Sequence, residues 1–229
     1  MAARTLVVIP AYNEALTIEE VVTRAARHAD VCVVDDGSSD GTGEIVARLE
    51  RAHCIRHERN THIAGAILDG FRYGLDSGYD FCVTMDAGLS HDPDALPAFM
   101  ARGDADLVLG YREVRESVPG YRKALSAAAN TIMNMALARR PLPFGGPGLR
   151  DCTSGYRMYS RRATEHLVAA KLRSRAFDFH IESLAVIYRA GLAIAEIPIT
   201  YRFTSSSLRP EIVWEALGTW VGLWTRDLR

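Results

Sequence analysis

Phe81-Cys-Val-Thr-Met-Asp-Ala-Gly-Leu-Ser-His-Asp-Pro93 is an apolar run of strand formers that ends at Asp86, turns through two small residues and reaches a proline suited to a helix start. Its reading decides the fold, because it makes an acidic loop the hand-over from strand to helix. Asp86 then stands at the strand's C-terminal edge, where open α/β sheets bind ligands, and is a candidate for holding a metal or a phosphate-bearing substrate. Asp86 and Asp92 can equally be read as turn caps, a common use of aspartate.

The same unit recurs upstream. Leu6-Val-Val-Ile-Pro10 is a continuous apolar run of the kind buried on both faces of a parallel sheet, followed by the loop Ala11-Tyr-Asn-Glu14. Thr17-Ile-Glu-Glu20 reads as a capping box that opens a helix through about His28. Val31 to Val34, the loop Asp35 to Gly41 and a helix over Thr42 to Ala52 repeat the pattern. Cys54 to His57 and a helix from about Ile63 to Ser77 repeat it again. Parallel strands need crossover helices, so this alternation predicts a doubly wound, mostly parallel α/β sheet in a single domain. Past the strand Leu107 to Gly110 the pattern changes to a turn-rich Ser117 to Arg122, a helix over Lys123 to Arg140 and a Pro/Gly loop from Pro141 to Gly148. A short apolar segment at Tyr156 to Tyr159, helices near Arg162 to Ala170 and Phe179 to Ala190, a strand at Ala193 to Thr200 and a last helix over Pro210 to Arg226 follow.

With 229 residues, 48% hydrophobic and 24% charged, the chain can bury a large core. The net charge of −1 conceals an asymmetry: residues 1–110 carry 9 Lys and Arg against 18 Asp and Glu, and residues 111–229 carry 18 against 10. A basic second half suits an anionic partner, although a solvated surface or ion pairing between the halves explains it equally. Nothing points to nucleic acid. Cys32, Cys54, Cys82 and Cys152 form no CxxC pair and read as buried thiols of a reducing compartment. A strand close to Met1 without a leader before it predicts a cytoplasmic protein. The longest uncharged run, Ala124 to Ala138, is too short to span a bilayer, so membrane contact is expected to be peripheral. The helix between Arg122-Lys123 and Arg139-Arg140 suits it better than the tryptophan-bearing last helix.

Three loops, Pro10 to Glu14, Asp35 to Ser39 and Asp86 to Ser90, fall on one sheet edge, and their common content is acidic. Neither a G-x-G-x-x-G nor a P-loop follows the first strand, which argues against dinucleotide and ATP-hydrolysing readings. Carboxylates can instead hydrogen-bond a base and ribose and grip a diphosphate through a divalent cation. Val8-Ile-Pro-Ala-Tyr-Asn-Glu14, Val33-Val-Asp-Asp-Gly-Ser-Ser-Asp-Gly-Thr42 and Met85-Asp-Ala-Gly-Leu-Ser-His-Asp-Pro93 resemble, in order and spacing, the signature loops of family 2 glycosyltransferases with the GT-A fold. Asp151-Cys-Thr-Ser-Gly-Tyr-Arg157, Phe177 to Glu182 and Ala195 to Arg202 further resemble dolichol-phosphate mannose synthases and their bacterial polyprenyl-phosphate relatives.

The resemblance implies an inverting transfer of a hexose from a GDP- or UDP-sugar to a phosphorylated acceptor such as polyprenyl phosphate, with Mg²⁺ or Mn²⁺ as cofactor. It makes residues 1–110 the nucleotide-sugar half and residues 111–229 the acceptor half. It places Pro10, Tyr12 and Glu14 around base and ribose, Val34 and Asp36 at the base pocket, and Asp86 and Ala87 at ribose and diphosphate. Arg112 would meet the transferring phosphates, and Arg122 and Ser126 the acceptor's phosphate. Two departures stand out. The Asp-x-Asp metal motif has Gly88 in its third position, leaving Asp86 with Ser90 as a weaker ligand, and Asp92, Asp94 and His91 as nearby alternatives. Where synthases carry Gly-x-Ser-Lys, the chain has Thr204-Ser-Ser-Ser-Leu208, with Arg202 or Arg209 as substitutes for the lysine. A soluble hydroxyl acceptor with Asp151 as base, or a sugar-nucleotide-binding regulator that has lost catalysis, are the alternative functions. His180 reads as a structural histidine.

Overall fold

A computed structural model of the chain describes residues 3–116, 127, 130–137, 146–176 and 178–202. Its strands are β1 (Thr5–Ala11), β2 (Asp30–Asp35), β3 (Ala52–Arg56), β4 (Phe81–Thr84), β5 (Leu107–Glu116), β6 (Arg157–Ser160) and β7 (Ile194–Arg202). They form one seven-stranded sheet in the order β3-β2-β1-β4-β6-β5-β7. β6 runs antiparallel to both its neighbours, and the other pairs are parallel. The helices are α1 (Ile18–Ala25), α2 (Thr42–Val46), α3 (His62–Asp76), α4 (Leu96–Met100) after a 3₁₀ turn at Pro93–Ala95, α5 (130–137), α6 (Arg161–Ala169) and α7 (Asp178–Arg189).

The continuous apolar runs are explained by burial on both faces. Leu6, Val8, Cys32, Val34, Cys82, Leu107 and Leu109 enter a core shared with α3, α5, α6 and α7. Their neighbours Val7, Ile9, Val31, Val33, Val83 and Val108 enter a second core on the α1 and α4 side. Side chains alternate between faces along a strand, so two covered faces require unbroken hydrophobicity. The doubly wound prediction is therefore the fold observed. The four cysteines are free, three of them buried and Cys54 partly so.

Local predictions fail where side chains choose other partners. The Thr17 hydroxyl donates back to Glu14 (Oε2 at 3.0 Å) instead of capping α1, and Glu20 pairs with Arg24, so no capping box forms. α2 stops at Val46, and the chain closes with tighter turns before β3 begins at Ala52. β5 runs six residues past Gly110, because Tyr111 to Glu116 pair with Pro198 to Arg202 of β7 across an irregularity between Arg112 and Val114. Asp92, by contrast, is the expected cap: its side chain accepts the Asp94 N–H at 3.2 Å. The segment 117–126, the last helix and the tail around Thr204 to Arg209 lie outside the described residues.

Candidate active site

β1 and β4 are neighbours, yet the chain leaves β1 toward β2 and β3 on one side and leaves β4 toward β5 on the other. Their carboxyl ends flank a crevice at the switch point of the sheet, where open α/β sheets bind ligands. The antiparallel β6 begins at this same edge, since Arg157 pairs with Thr84 and Leu109, and so delivers residues 151–156 to it.

The first two loops are tied together. Asn13 sits in the left-handed region (φ 57), which asparagine tolerates. Its N–H donates to Ser38 Oγ and its side-chain oxygen accepts the Ser39 N–H, both at 2.9 Å. The Glu14 N–H donates to Thr42 Oγ1 at 2.9 Å and the Ala15 N–H to Asp40 at 3.0 Å. Tyr12 is half exposed beside this clamp, and Pro10 is partly buried. Burial raises the Glu14 carboxyl above its ordinary range; the Thr17 hydroxyl lowers it, and the charges of Asp86 and Asp40 raise it again.

After β2, Asp35 is fully enclosed. Its Oδ1 accepts the Ser38 N–H at 3.0 Å, while Arg56 Nε, 3.4 Å from Oδ2, is a charge contact without hydrogen-bond geometry. Asp36 Oδ1 accepts three bonds, from His57 Nδ1 (2.7 Å) and from the N–H and hydroxyl of Thr61 (2.8 Å each). Its N–H donates to Ala11 O at 2.8 Å, joining this loop to β1. Val34 is fully buried in the α3-side core, so it supports the loop from beneath and offers a ligand no side-chain surface.

In the β4 loop the Asp86 side chain is 38% exposed, whereas Ala87 is buried. The Asp86 N–H donates to His91 Nδ1 at 3.2 Å. Nδ1 is therefore the unprotonated nitrogen and Nε2 carries the hydrogen. Burial lowers the His91 pKa, partly opposed by the Asp86 charge, which keeps the ring neutral. The ring stacks on Tyr156 (4.9 Å between centroids) and meets Tyr201 edge-on (6.0 Å), so His91 fixes the loop from below. The Ser90 carbonyl accepts the Arg202 N–H at 3.2 Å.

Opposite stands Arg112 on β5, its guanidinium clamped by Asp151 through Nε (2.6 Å) and Nη2 (2.8 Å) and also bonded to the Thr153 hydroxyl. Tyr201 lies 5.4 Å beneath it. Burial would raise the Asp151 carboxyl, but the Arg112 pair more than reverses this and holds it at about 2. A carboxylate so acidic, with its oxygens on Arg112, is poorly matched to removing a hydroxyl proton near neutral pH. The reading of Asp151 as a general base is thereby corrected: its partner is Arg112. Arg157, fully buried, donates to the carbonyls of Cys152 (2.7 Å), Ser154 (2.7 Å) and His180 (2.6 Å), shaping the 151–156 loop against α7. His180 lies behind Gly155, where a Cβ would come within 2.9 Å of its Nε2 and 3.6 Å of Asp86 Oδ1. Burial, then the Arg157 charge, push its pKa well below the ordinary value. The roles of His91 and Arg157 escaped the sequence reading; the available signal was an arginine entering an otherwise apolar strand.

The structure thus gathers Pro10, Tyr12, Glu14, Asp36, Asp86, Ala87, Ser90 and Arg112 along one edge, while Arg122 and Ser126 lie outside the described residues. The described residues do not fit a cation site built by the protein alone. Among the described residues no three His, Cys, Asp or Glu side chains are grouped to hold a metal. Asp92 and Asp94, the nearby alternatives, face α1: Asp92 pairs with Arg24, and Asp94 with Arg24 (2.6 Å) and His28 (3.0 Å).

A family model described as glycosyl transferase family 2 matches residues 6–168. A polyprenol monophosphomannose synthase of Mycolicibacterium smegmatis is 35% identical over 212 residues, covering 86% of this chain and 77% of that protein. An undecaprenyl-phosphate mannosyltransferase of Micrococcus luteus is 34% identical over 206 residues, covering 86% of this chain and 83% of that protein. Among solved structures, glucosyl-3-phosphoglycerate synthase of Mycobacterium tuberculosis, in complex with Mn²⁺, UDP and glucosyl-3-phosphoglycerate, superimposes with a TM-score of 0.75 at 18% identity, over 98% of this chain and 81% of that one. At that identity the likeness concerns the fold.

Proposed function

The chain belongs to glycosyl transferase family 2, and from that premise we propose that it transfers a hexose from a GDP- or UDP-sugar to a polyprenyl phosphate. The observation that carries this reading is the meeting, at one switch point, of three acidic loops with a clamped arginine on the adjoining half of the sheet. Base and ribose are bound at the Pro10 to Glu14 loop and at Asp36, whose Oδ1 is occupied by His57 and Thr61, so that Oδ2 is the atom that reads the base. Asp86 faces the ribose and diphosphate, with the backbone at Ala87 beside it while the Ala87 side chain packs into the core, and Arg112 faces the phosphates between which the sugar moves. Arg122 and Ser126 receive the acceptor's phosphate. The names of the two curated relatives support the lipid phosphate as acceptor. No described helix is long and apolar enough to cross a membrane, so we take contact with the lipid to be peripheral.

The chemistry asks little of the protein in proton transfer. With a second pKa of about 6, the acceptor phosphate is largely ionised at neutral pH and attacks without a base. One of its oxygens forms a bond to the anomeric carbon as the bond from that carbon to the diphosphate oxygen breaks, giving a glycosyl phosphodiester and the nucleoside diphosphate. The protein's part is positioning and charge stabilisation, and Arg112, oriented by Asp151 and Thr153, is built for it. The occupation of Asp151 by Arg112 counts against a hydroxyl acceptor that needs a base.

Incubation with labelled GDP- and UDP-hexoses and undecaprenyl phosphate, followed by organic extraction, tests the proposal. Labelled glycolipid with stoichiometric release of nucleoside diphosphate is expected. Transfer only to soluble hydroxyl acceptors would reject the acceptor class. Gly88 gives one observation for a second reading, binding without transfer, and nucleotide-sugar binding with no product from any acceptor would select it.

A further inference from the structure

We propose that His57 is a positioning residue of the nucleotide pocket, holding the Asp36 carboxylate in the one orientation that leaves Oδ2 to the base. The inference rests on the reading of Asp36 as the carboxylate that meets the base.

The segment that follows β3 closes on this carboxylate. β3 runs beside β2, and the His57 N–H donates to Asp35 O at 2.8 Å, which carries the pairing one residue further and brings the ring to Asp36. The chain then passes over Gly37, where a Cβ would come within 3.1 Å of the backbone of Arg59 and Asn60 and where φ is 79, so the approach needs glycine. The Asn60 side chain accepts the His62 N–H at 2.8 Å and tightens the turn that returns Thr61 to Asp36.

His57 itself is flanked at both nitrogens. Its Nδ1 lies 2.7 Å from Asp36 Oδ1 and its Nε2 3.1 Å from Asp69 Oδ2 on α3, and the side chain is 11% exposed. A lone pair on Nδ1 would repel the Asp36 oxygen at that distance, so Nδ1 carries a hydrogen and donates it. Turning the ring by half a revolution would set carbons against both carboxylates, which together select the orientation observed.

The consequence falls on Asp36. Its side chain is 5% exposed, and a carboxylate so enclosed needs hydrogen bonds in place of its water. All of them come to Oδ1: one from His57, and two from the N–H and hydroxyl of Thr61. A carboxylate turns easily about its last torsion, which is broad and two-fold. With His57 in place that turn is stopped, and Oδ2, which no described residue bonds, stays free to accept a ring N–H, a donor that uracil and guanine both carry.

His57→Asn and His57→Leu form the decisive pair, because the two replacements share a shape and only the asparagine sets a donor nitrogen where Nδ1 stands. Calorimetry of the full chain with UDP and GDP reads the effect. His57→Leu should weaken whichever nucleotide the wild type binds by about tenfold or more, and His57→Asn should stay within about threefold of wild type. KM for the nucleotide sugar should follow the same order while kcat changes by less than about twofold, since Asp36 grips the base equally before and during transfer. Equal affinities in His57→Leu and His57→Asn, or a loss confined to kcat, would overturn the proposal. Should His57→Leu fail to fold, His57→Gln replaces it: the longer side chain carries its amide toward Asp69 and away from Asp36, so affinity should again fall, and wild-type affinity in that variant would overturn the proposal. A wild type that binds neither UDP nor GDP sinks the functional reading, whereas one that binds, with His57→Leu and His57→Asn alike, sinks the role of His57 alone.

Discussion

Asp151→Asn is the substitution that tests the organisation of this site most sharply. In the wild type the Arg112 side chain is 19% exposed and Asp151 2%, so the pair is close to the buried limit. Removing one member of a fully buried pair costs about 3–5 kcal/mol, because the other charge is left uncompensated. Residual exposure of Arg112 reduces this, and the asparagine oxygen still accepts one of the guanidinium N–H groups, which brings the expected loss of stability to about 2–3 kcal/mol. The pH dependence gives a second route to the same quantity. The Asp151 carboxyl is depressed from its ordinary 3.8 to about 2, so its stabilisation is complete above pH 4 and is lost as pH falls through about 2. The interval corresponds to about 2 kcal/mol. Urea denaturation of wild type, Asp151→Asn, Arg112→Met and the double variant should therefore give a coupling energy above about 1 kcal/mol at pH 7, shrinking between pH 4 and pH 2. A coupling energy below about 0.5 kcal/mol, or a gap unchanged at pH 2, would refute the claim that Asp151 holds Arg112.

Four further outcomes follow from the same geometry. Arg112→Lys keeps the charge but loses the two-pronged contact with Asp151, and turnover should fall by about tenfold or more while nucleotide affinity, measured by calorimetry, changes little. His91→Leu leaves the Asp86 N–H without its acceptor, at a cost of about 1–3 kcal/mol in thermal unfolding, and should weaken nucleotide binding; unchanged values in both would deny His91 its positioning role. Gly155→Ala drives a methyl group to 2.9 Å from His180 Nε2 and should destabilise by about 1–3 kcal/mol in denaturant titration. Cys32, Cys82 and Cys152, each pushed up to about 12 by burial, should resist an aromatic disulfide reagent at pH 8 until the protein unfolds; the partly buried Cys54 is the one expected to react in the native state.

The sheet was legible because burial on both faces leaves a local signature, an unbroken apolar run closed by an acidic loop, in β1, β2 and β4 alike. β5 was legible only as far as Gly110. Beyond it Tyr-Arg-Glu-Val-Arg-Glu has no such signature, and those residues are strand only because β7 lies beside them. The candidate site divides in the same way. Asp36 and Asp86 follow the ends of β2 and β4 within two residues, so their place could be read from the chain alone. The partner of Arg112 could not: Asp151 is 39 residues away and arrives through the one antiparallel strand, a reversal that no local pattern announces. His91 was visible as a histidine near the motif, but its function as acceptor for the Asp86 N–H depends on a contact with Tyr156 that only the folded chain creates.

The charge asymmetry between the halves acquires a physical meaning at this edge. Glu14, Asp36 and Asp86 line the first-half side, an arrangement that repels a diphosphate. On the second-half side Arg112 offsets this only in part, since it shares its guanidinium with Asp151. Arg157 is a different case: among the described residues its guanidinium bonds carbonyls and the Ser183 hydroxyl and no carboxylate, so a positive charge is buried beneath the loop that carries Gly155. That charge helps keep His180 neutral, and it acts through low-dielectric protein where screening is weak. One buried arginine still falls short of a diphosphate and a phosphate acceptor brought together beside three carboxylates. An acidic edge of this kind accommodates a phosphate-bearing ligand only where further positive charge comes with it, because like charges brought together in a partly buried crevice are weakly screened.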